Sequence, residues 1–203
     1  KFDLGALIEN HLGAGGNAKE AESAWSGKVR IVGNLPYNIS TPVLFHLLEH
    51  CEFIQDMTFM LQLEVVERMA SEIGSKNYGR LGLMMQYHCH VEHLFDVPPS
   101  AFSPAPKVQS AIVRLTPHQQ LPVQCADSKQ LETVIRTAFN QRRKTLRNTL
   151  KNLISADTLE NLGINPTLRP EKISLAEYAA ISDALTQSND ESNSNNLNDN
   201  TSS

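Results

Sequence analysis

The chain has 203 residues, 40% of them hydrophobic, with a formal net charge of −4 and three cysteines. That length allows one full domain and a small appendage, and the mild acidity excludes a globally basic nucleic-acid binder while leaving room for a local basic patch. Cys51, Cys89 and Cys125 are odd in number and far apart, which fits free thiols in a reducing compartment better than a disulfide framework.

In chain order, Lys1-Phe2-Asp3-Leu4 has no initiator Met and no basic-apolar-small leader layout, so the chain is expected to open inside a domain. A helix-like stretch at 4–12 precedes Gly13-Ala14-Gly15-Gly16. A phosphate-cradling loop must follow a strand, so this glycine run reads as a surface loop. Val29, Ile31 and Val32 mark a buried strand, and 41–50 a helix with Val43, Leu44, Leu47 and Leu48 on one face. A second strand is expected at 57–63 and a helix at 65–73. Residues 78–82 lead into a helix at 83–88, and strands follow at 91–97 and 108–115 across a Pro-rich loop. This alternation indicates an α/β sheet over 1–117, closed by an antiparallel pair because no helix separates the last two strands.

After a linker at 118–127 the pattern turns helical over 128–186. Leu131, Ile135, Ala138, Phe139, Leu146, Leu150 and Leu153 recur at helical spacing. Gly163 and Pro166 interrupt the run, and Ser174 with Glu177 has the spacing of a capping box. Residues 187–203 are Asn, Ser and Asp with little to bury, so a disordered tail is expected. No apolar run approaches the ~20 residues needed to cross a bilayer.

Three groups of residues could carry chemistry. Gly33-Asn34-Leu35-Pro36-Tyr37 joins the first strand to a helix, at the strand end where ligands bind in open α/β sheets. The Asn34 carboxamide and the Leu35 and Pro36 carbonyls are neutral acceptors suited to an exocyclic amino group, and Tyr37 offers a stacking face. Phe102, held between prolines at 98–106, could cover the other face of a flipped base. Arg136, Arg143, Arg147 and Lys151, with Lys144 at the margin, lie along one side of the expected helix, with no acidic residue between 136 and 151. Such a stripe suits phosphates. Arg142 falls at an apolar phase, where it would snorkel or pair with an acid, and Lys107 could add to the basic surface. His88-Cys89-His90 with His93 does not make a metal site, because donors on adjacent residues diverge. Glu64 and Glu67 read as an ordinary surface helix start rather than general bases.

The segment at 33–40 resembles the adenine-N6 methyltransferase motif of the ribosomal RNA adenine dimethyltransferases. Leu61-Gln62, Glu64-Val65-Val66, Tyr78-Gly79-Arg80-Leu81, the stretch 97–108 and Ala138-Phe139-Asn140-Gln141-Arg142-Arg143-Lys144 are similar to the bacterial enzymes acting on 16S rRNA. The resemblance implies a Rossmann-like methyltransferase sheet, incomplete at its amino-terminal side, and a small helical RNA-docking domain. It also implies S-adenosylmethionine as donor, no metal, and 16S rRNA in the small ribosomal subunit as partner. A cytoplasmic monomer is expected. Asn34, Leu35, Pro36, Tyr37 and Phe102 would hold the target adenine, and Asn34 would also touch the donor. Lys107, Arg136, Arg142, Arg143, Lys144, Arg147 and Lys151 would face RNA. The family's Gly-rich donor motif has no counterpart here, so this chain alone is expected to be inactive. The alternatives are a non-catalytic RNA-binding assembly factor and a 23S rRNA methyltransferase of the antibiotic-resistance type.

Overall fold

The computed structural model describes residues 28–199, with side chains to 188. The glycine run at 13–16 and the helix-like stretch at 4–12 lie outside the described residues. The described residues divide into two compact units, one of residues 28–70 with 88–119 and one of residues 71–87 with 120–199.

In the first unit β1 (Val29–Asn34) leads through α1 (Ser40–Leu48) and a 3-10 turn (Cys51–Phe53) to β2 (Ile54–Gln62). The helical crossover makes β1 and β2 parallel, with Asn34 opposite Met60. α2 (Leu63–Met69) follows, and β3 (Cys89–Val97) and β4 (Ser110–Pro117) complete the unit. The strand order is β1-β2-β4-β3. The expected antiparallel pair of β3 and β4 is present, and β4 also pairs antiparallel with β2. β2 is therefore central, and its alternation buries Ile54, Met57, Phe59 and Leu61. One expectation fails in β1. Pleating turns Val29 and Ile31 one way, half-buried, and Arg30 and Val32 the other, so Val32 is 79% exposed rather than buried.

The second unit holds α3 (Arg80–His88) as far as Tyr87, α4 (Ser128–Phe139), α5 (Leu146–Thr149), α6 (Ala156–Asn161) and α7 (Leu175–Asp199). Asp127 caps α4 by accepting the Lys129 amide at 2.8 Å. The capping box forms as expected: Ser174 N–H donates to Glu177 at 2.7 Å, and Glu177 N–H donates to the Ser174 hydroxyl at 3.2 Å. Gly163, at φ +75°, ends α6 where a side chain would be strained.

Residues 71–87 are tied into this unit by contacts distant in sequence. The buried Tyr78 hydroxyl donates to the Ile173 carbonyl at 3.0 Å, and that of Tyr178 donates to the Pro170 carbonyl at 2.9 Å. Phe139 lies between these two rings, with centroids at 6.4 and 6.2 Å. Gly74, at φ +81°, donates its N–H to the Glu171 carbonyl at 2.7 Å. Arg80 pairs with Glu132 at 2.7 Å. Burial pushes the Tyr78 hydroxyl up to about 12, with Glu177 adding to the effect, and burial also raises Tyr178.

Two further expectations change here. The continuous helix implied by the apolar spacing ends at Phe139 and resumes at Leu146. The Leu146 and Arg147 amides donate instead to the Leu168 and Pro166 carbonyls, at 2.8 and 2.9 Å, and these tertiary bonds replace helical ones. Helical backbone also runs to Asp199, past residue 187 where disorder was expected. Neither glycine nor proline occurs between 175 and 199, so nothing local stops the helix nucleated at Ser174.

Candidate base-binding cleft and basic turn

The cleft begins where β1 stops. The Leu35 N–H still donates to the Met60 carbonyl, at 3.4 Å, which holds the loop against β2. The chain then turns: the Ile39 N–H donates to the Pro36 carbonyl at 3.1 Å, and the buried Ser40 hydroxyl donates to the Tyr37 carbonyl at 3.2 Å. Pro36 fixes one backbone angle inside this turn, so a short polar segment becomes a defined scaffold.

Asn34, Leu35, Pro36 and Tyr37 line a cavity of about 290 Å³ with Met60, Phe102, Pro104 and Pro106. Asn34 is exposed, and its carboxamide has no hydrogen-bond partner among the described residues. Tyr37 is partly exposed, and its hydroxyl lies 2.9 Å from the Ser110 hydroxyl, which is itself fully buried. This bond anchors one end of the ring and leaves its body at the cleft. Phe102 is half-buried at the end of the 3-10 turn Pro99–Ala101, and its N–H donates to the Pro99 carbonyl at 3.2 Å. The Ser103–Pro104 peptide is cis.

All five residues expected to hold a base thus line one cavity. Ser110 and Met60 were missed. Ser110 reads as an ordinary first residue of a strand, and only the register Gln62↔Ser110 places β4 beside the end of β2. A buried serine opening an apolar strand was the available signal.

The cations are arranged differently from the expected stripe. Arg136 is on α4, Arg142, Arg143 and Lys144 are in the turn after it, Arg147 is on α5, and Lys151 lies beyond. All six are exposed, but the break between α4 and α5 means they do not share one helix face. Among the described residues Arg142 meets no acid. It donates to the Lys76 carbonyl, bracing the turn against the 71–87 segment. Residues 140–144 line a cavity of about 400 Å³. Lys107 is exposed in the loop before β4, in the sheet unit.

The remaining candidates behave as ordinary structure. Glu64 and Glu67 are exposed on α2. Cys89 is buried while His90 and His93 are exposed, so the donors diverge, and His93 pairs with Asp96 at 2.8 Å. The cysteines are free thiols. A hydrogen bond between Cys51 and Cys89 lowers the Cys51 thiol and, with burial, raises that of Cys89. Among the described residues no helix is long and apolar enough to cross a membrane.

Comparison with known proteins sharpens this picture. Residues 1–187 match the family described as ribosomal RNA adenine dimethylase. The chain is 55% identical to the ribosomal RNA small subunit methyltransferase A of Pseudomonas aeruginosa over 188 residues, covering 92% of this chain and 70% of that protein. It is 59% identical to the protein of the same name from Marinobacter nauticus over 157 residues, covering 77% of this chain but 57% of that one. The chain therefore spans between about three-fifths and seven-tenths of the length of these curated relatives. Among solved structures, it is similar to a dimethyladenosine transferase from Plasmodium falciparum, with TM-score 0.65 and 25% identity over 82% of this chain and 69% of that one. It shares a fold with the 23S rRNA methyltransferase ErmE, with TM-score 0.58 and 21% identity over 80% of this chain and 67% of that one. The sheet is accordingly of the Rossmann-like methyltransferase kind.

Proposed function

This chain belongs to the ribosomal RNA adenine dimethylase family, and on that premise we propose that it works as an S-adenosylmethionine-dependent rRNA adenine-N6 dimethyltransferase. Its substrate is a pair of adjacent adenosines near the 3′ end of 16S rRNA, in the small ribosomal subunit, and it acts in the cytoplasm as a monomer. The observation that carries this reading is the Asn34 carboxamide, exposed and unpartnered among the described residues, on one cleft with Tyr37 and Phe102. The names of the relatives at 55% and 59% identity support a small-subunit target over a 23S one, and a catalytic role over a purely binding one.

S-adenosylmethionine supplies, when bound, a methyl group on a sulfonium centre. A carboxamide exposed at the carboxyl end of β1 fits a residue that touches both donor and acceptor. The adenine N6 lone pair is delocalised into the ring and is a weak nucleophile. The Asn34 side-chain oxygen accepts one N6–H, and a loop carbonyl accepts the other. Leu35 and Pro36 both offer carbonyls, and one lone pair of Pro36 is already committed to Ile39. As the N6–methyl bond forms, the nitrogen becomes cationic and these hydrogen bonds strengthen. The stabilisation therefore falls on the transition state, where it raises the rate. The donor's sulfur–methyl bond would break as the N6–methyl bond forms, and the N6 proton would then pass to water, since the described residues lining the cleft include no carboxylate, histidine or lysine. Tyr37, anchored by Ser110, and Phe102 sandwich the ring and aim the amine. The exposed cations at 136, 142–144, 147 and 151, with Lys107, contact phosphates.

A two-arm experiment tests the assignment in the enzyme. Asn34→Ala should lower single-turnover methyl transfer by about 10²–10³-fold while leaving RNA affinity nearly intact; parallel loss of both would remove Asn34 from the chemistry. Arg143→Glu with Arg147→Glu should weaken RNA binding and flatten its log–log salt dependence by roughly 1.5–2. An unchanged slope would take the basic turn out of the interface.

A further inference from the structure

We propose that His46, Glu49 and His50, at the carboxyl end of α1, form a binding site for a divalent transition-metal ion of the Zn²⁺ class. One ligand atom from each of the three lies within 4.8 Å of the others. The spacing explains this: residues three and four positions apart share a helix face. The helix ends at Leu48, and a tight turn carries His50 back beside it: the Glu49 and His50 amides donate to the His46 and Leu47 carbonyls at 3.2 and 3.0 Å.

One donor pair already has the spacing of a loaded site, and the third donor lies within 4.8 Å of both. His46 Nδ1 lies 3.4 Å from Glu49 Oε2. Two donors bound tetrahedrally at about 2.0–2.1 Å sit roughly 3.3–3.4 Å apart. The His46 and His50 rings meet edge to face, with centroids at 5.0 Å. Two half-buried imidazoles are partly preorganised by packing, and the exposed carboxylate can swing to meet an ion. Two nitrogens and one oxygen suit borderline ions such as Zn²⁺ and leave a coordination position for water, whereas Mg²⁺ would prefer oxygen donors. The negative end of the helix dipole adds a favourable potential for a cation.

The site is separate from the cleft. α1 has nine residues and opens beside the Asn34–Tyr37 turn, so its far end lies on the order of 13 Å away. An ion there would brace the junction between α1 and the turn Cys51–Phe53 and would not touch the base. The neighbouring thiol is not part of the set, because Cys51 is engaged with Cys89.

Calorimetric titration of the metal-free chain with ZnCl₂ tests this directly. One Zn²⁺ per chain is expected, with affinity falling by at least about tenfold in His50→Ala and in His46→Ala and little changed in Cys51→Ser. Absence of a stoichiometric site would overturn the proposal, as would binding indifferent to both histidine changes or lost with Cys51. If either alanine variant fails to fold, Co²⁺ added to the unaltered chain decides the matter. Visible bands of nitrogen and oxygen ligation without a thiolate charge-transfer band would support the site, and a thiolate band or an octahedral aquo spectrum would refute it.

Discussion

The cleft and the helical unit reach their geometry by opposite routes. From Asn34 to Ser40 the cleft loop is shaped by bonds within a few residues, the Ile39 amide to Pro36 and the Ser40 hydroxyl to Tyr37. Longer reach enters where the Leu35 amide meets Met60, where Ser110 meets Tyr37 and where the 102–106 loop supplies the opposite wall. In the helical unit the decisive contacts join 71–87 to residues about a hundred positions later, through Tyr78, Phe139 and Tyr178. A binding loop made of local bonds can be disturbed without unfolding its surroundings. A unit held by three distant aromatic side chains should lose cooperativity when one is removed.

The sharpest way to break this comparison is Tyr178→Ala. It deletes a fully buried ring and its hydrogen bond to Pro170, and should cost about 3–5 kcal/mol in denaturant unfolding of the helical unit. A loss below about 1 kcal/mol would mean that the cluster is peripheral. Ser110→Ala probes the cleft with a smaller change. It should leave overall stability almost untouched yet slow methyl transfer several-fold, of the order of one net hydrogen bond, about 1 kcal/mol, because Tyr37 loses its anchor. Equal effects on stability and rate would show that Ser110 matters for folding and not for the ring.

A milder perturbation is pH. Tyr78 is neutral when folded and hydrogen-bonded to Ile173, and its hydroxyl titrates near 12 instead of 10. The stabilisation is fully present below the unfolded value near 10 and is lost as pH rises toward 12. Tyr178 is shifted in the same direction. Circular dichroism melts between pH 9 and 12 should show the transition temperature falling only above about pH 10, less steeply in Tyr78→Phe.

Much of the site could be read in advance because its signals are local. A strand, an Asn-Leu-Pro-Tyr turn and the helix after it are encoded in adjacent residues, as are the Ser174–Glu177 capping box and the β3–β4 pairing. The spacing of His46, Glu49 and His50 is equally local, whereas the adjacent donors at 88–90 fall where a helix gives way to β3 and diverge.

Sequence alone was enough to pick out the five residues that line the cleft and the alternation of helix and strand, because propensity and turn formation act over a few residues. It was not enough for β4 lying between β2 and β3, for the break at 140–145, or for the grouping of 71–87 with the helices. Those follow from hydrogen bonds and ring packing between segments far apart in the chain, where the partner that satisfies a buried amide or hydroxyl is chosen only once the fold has brought it near.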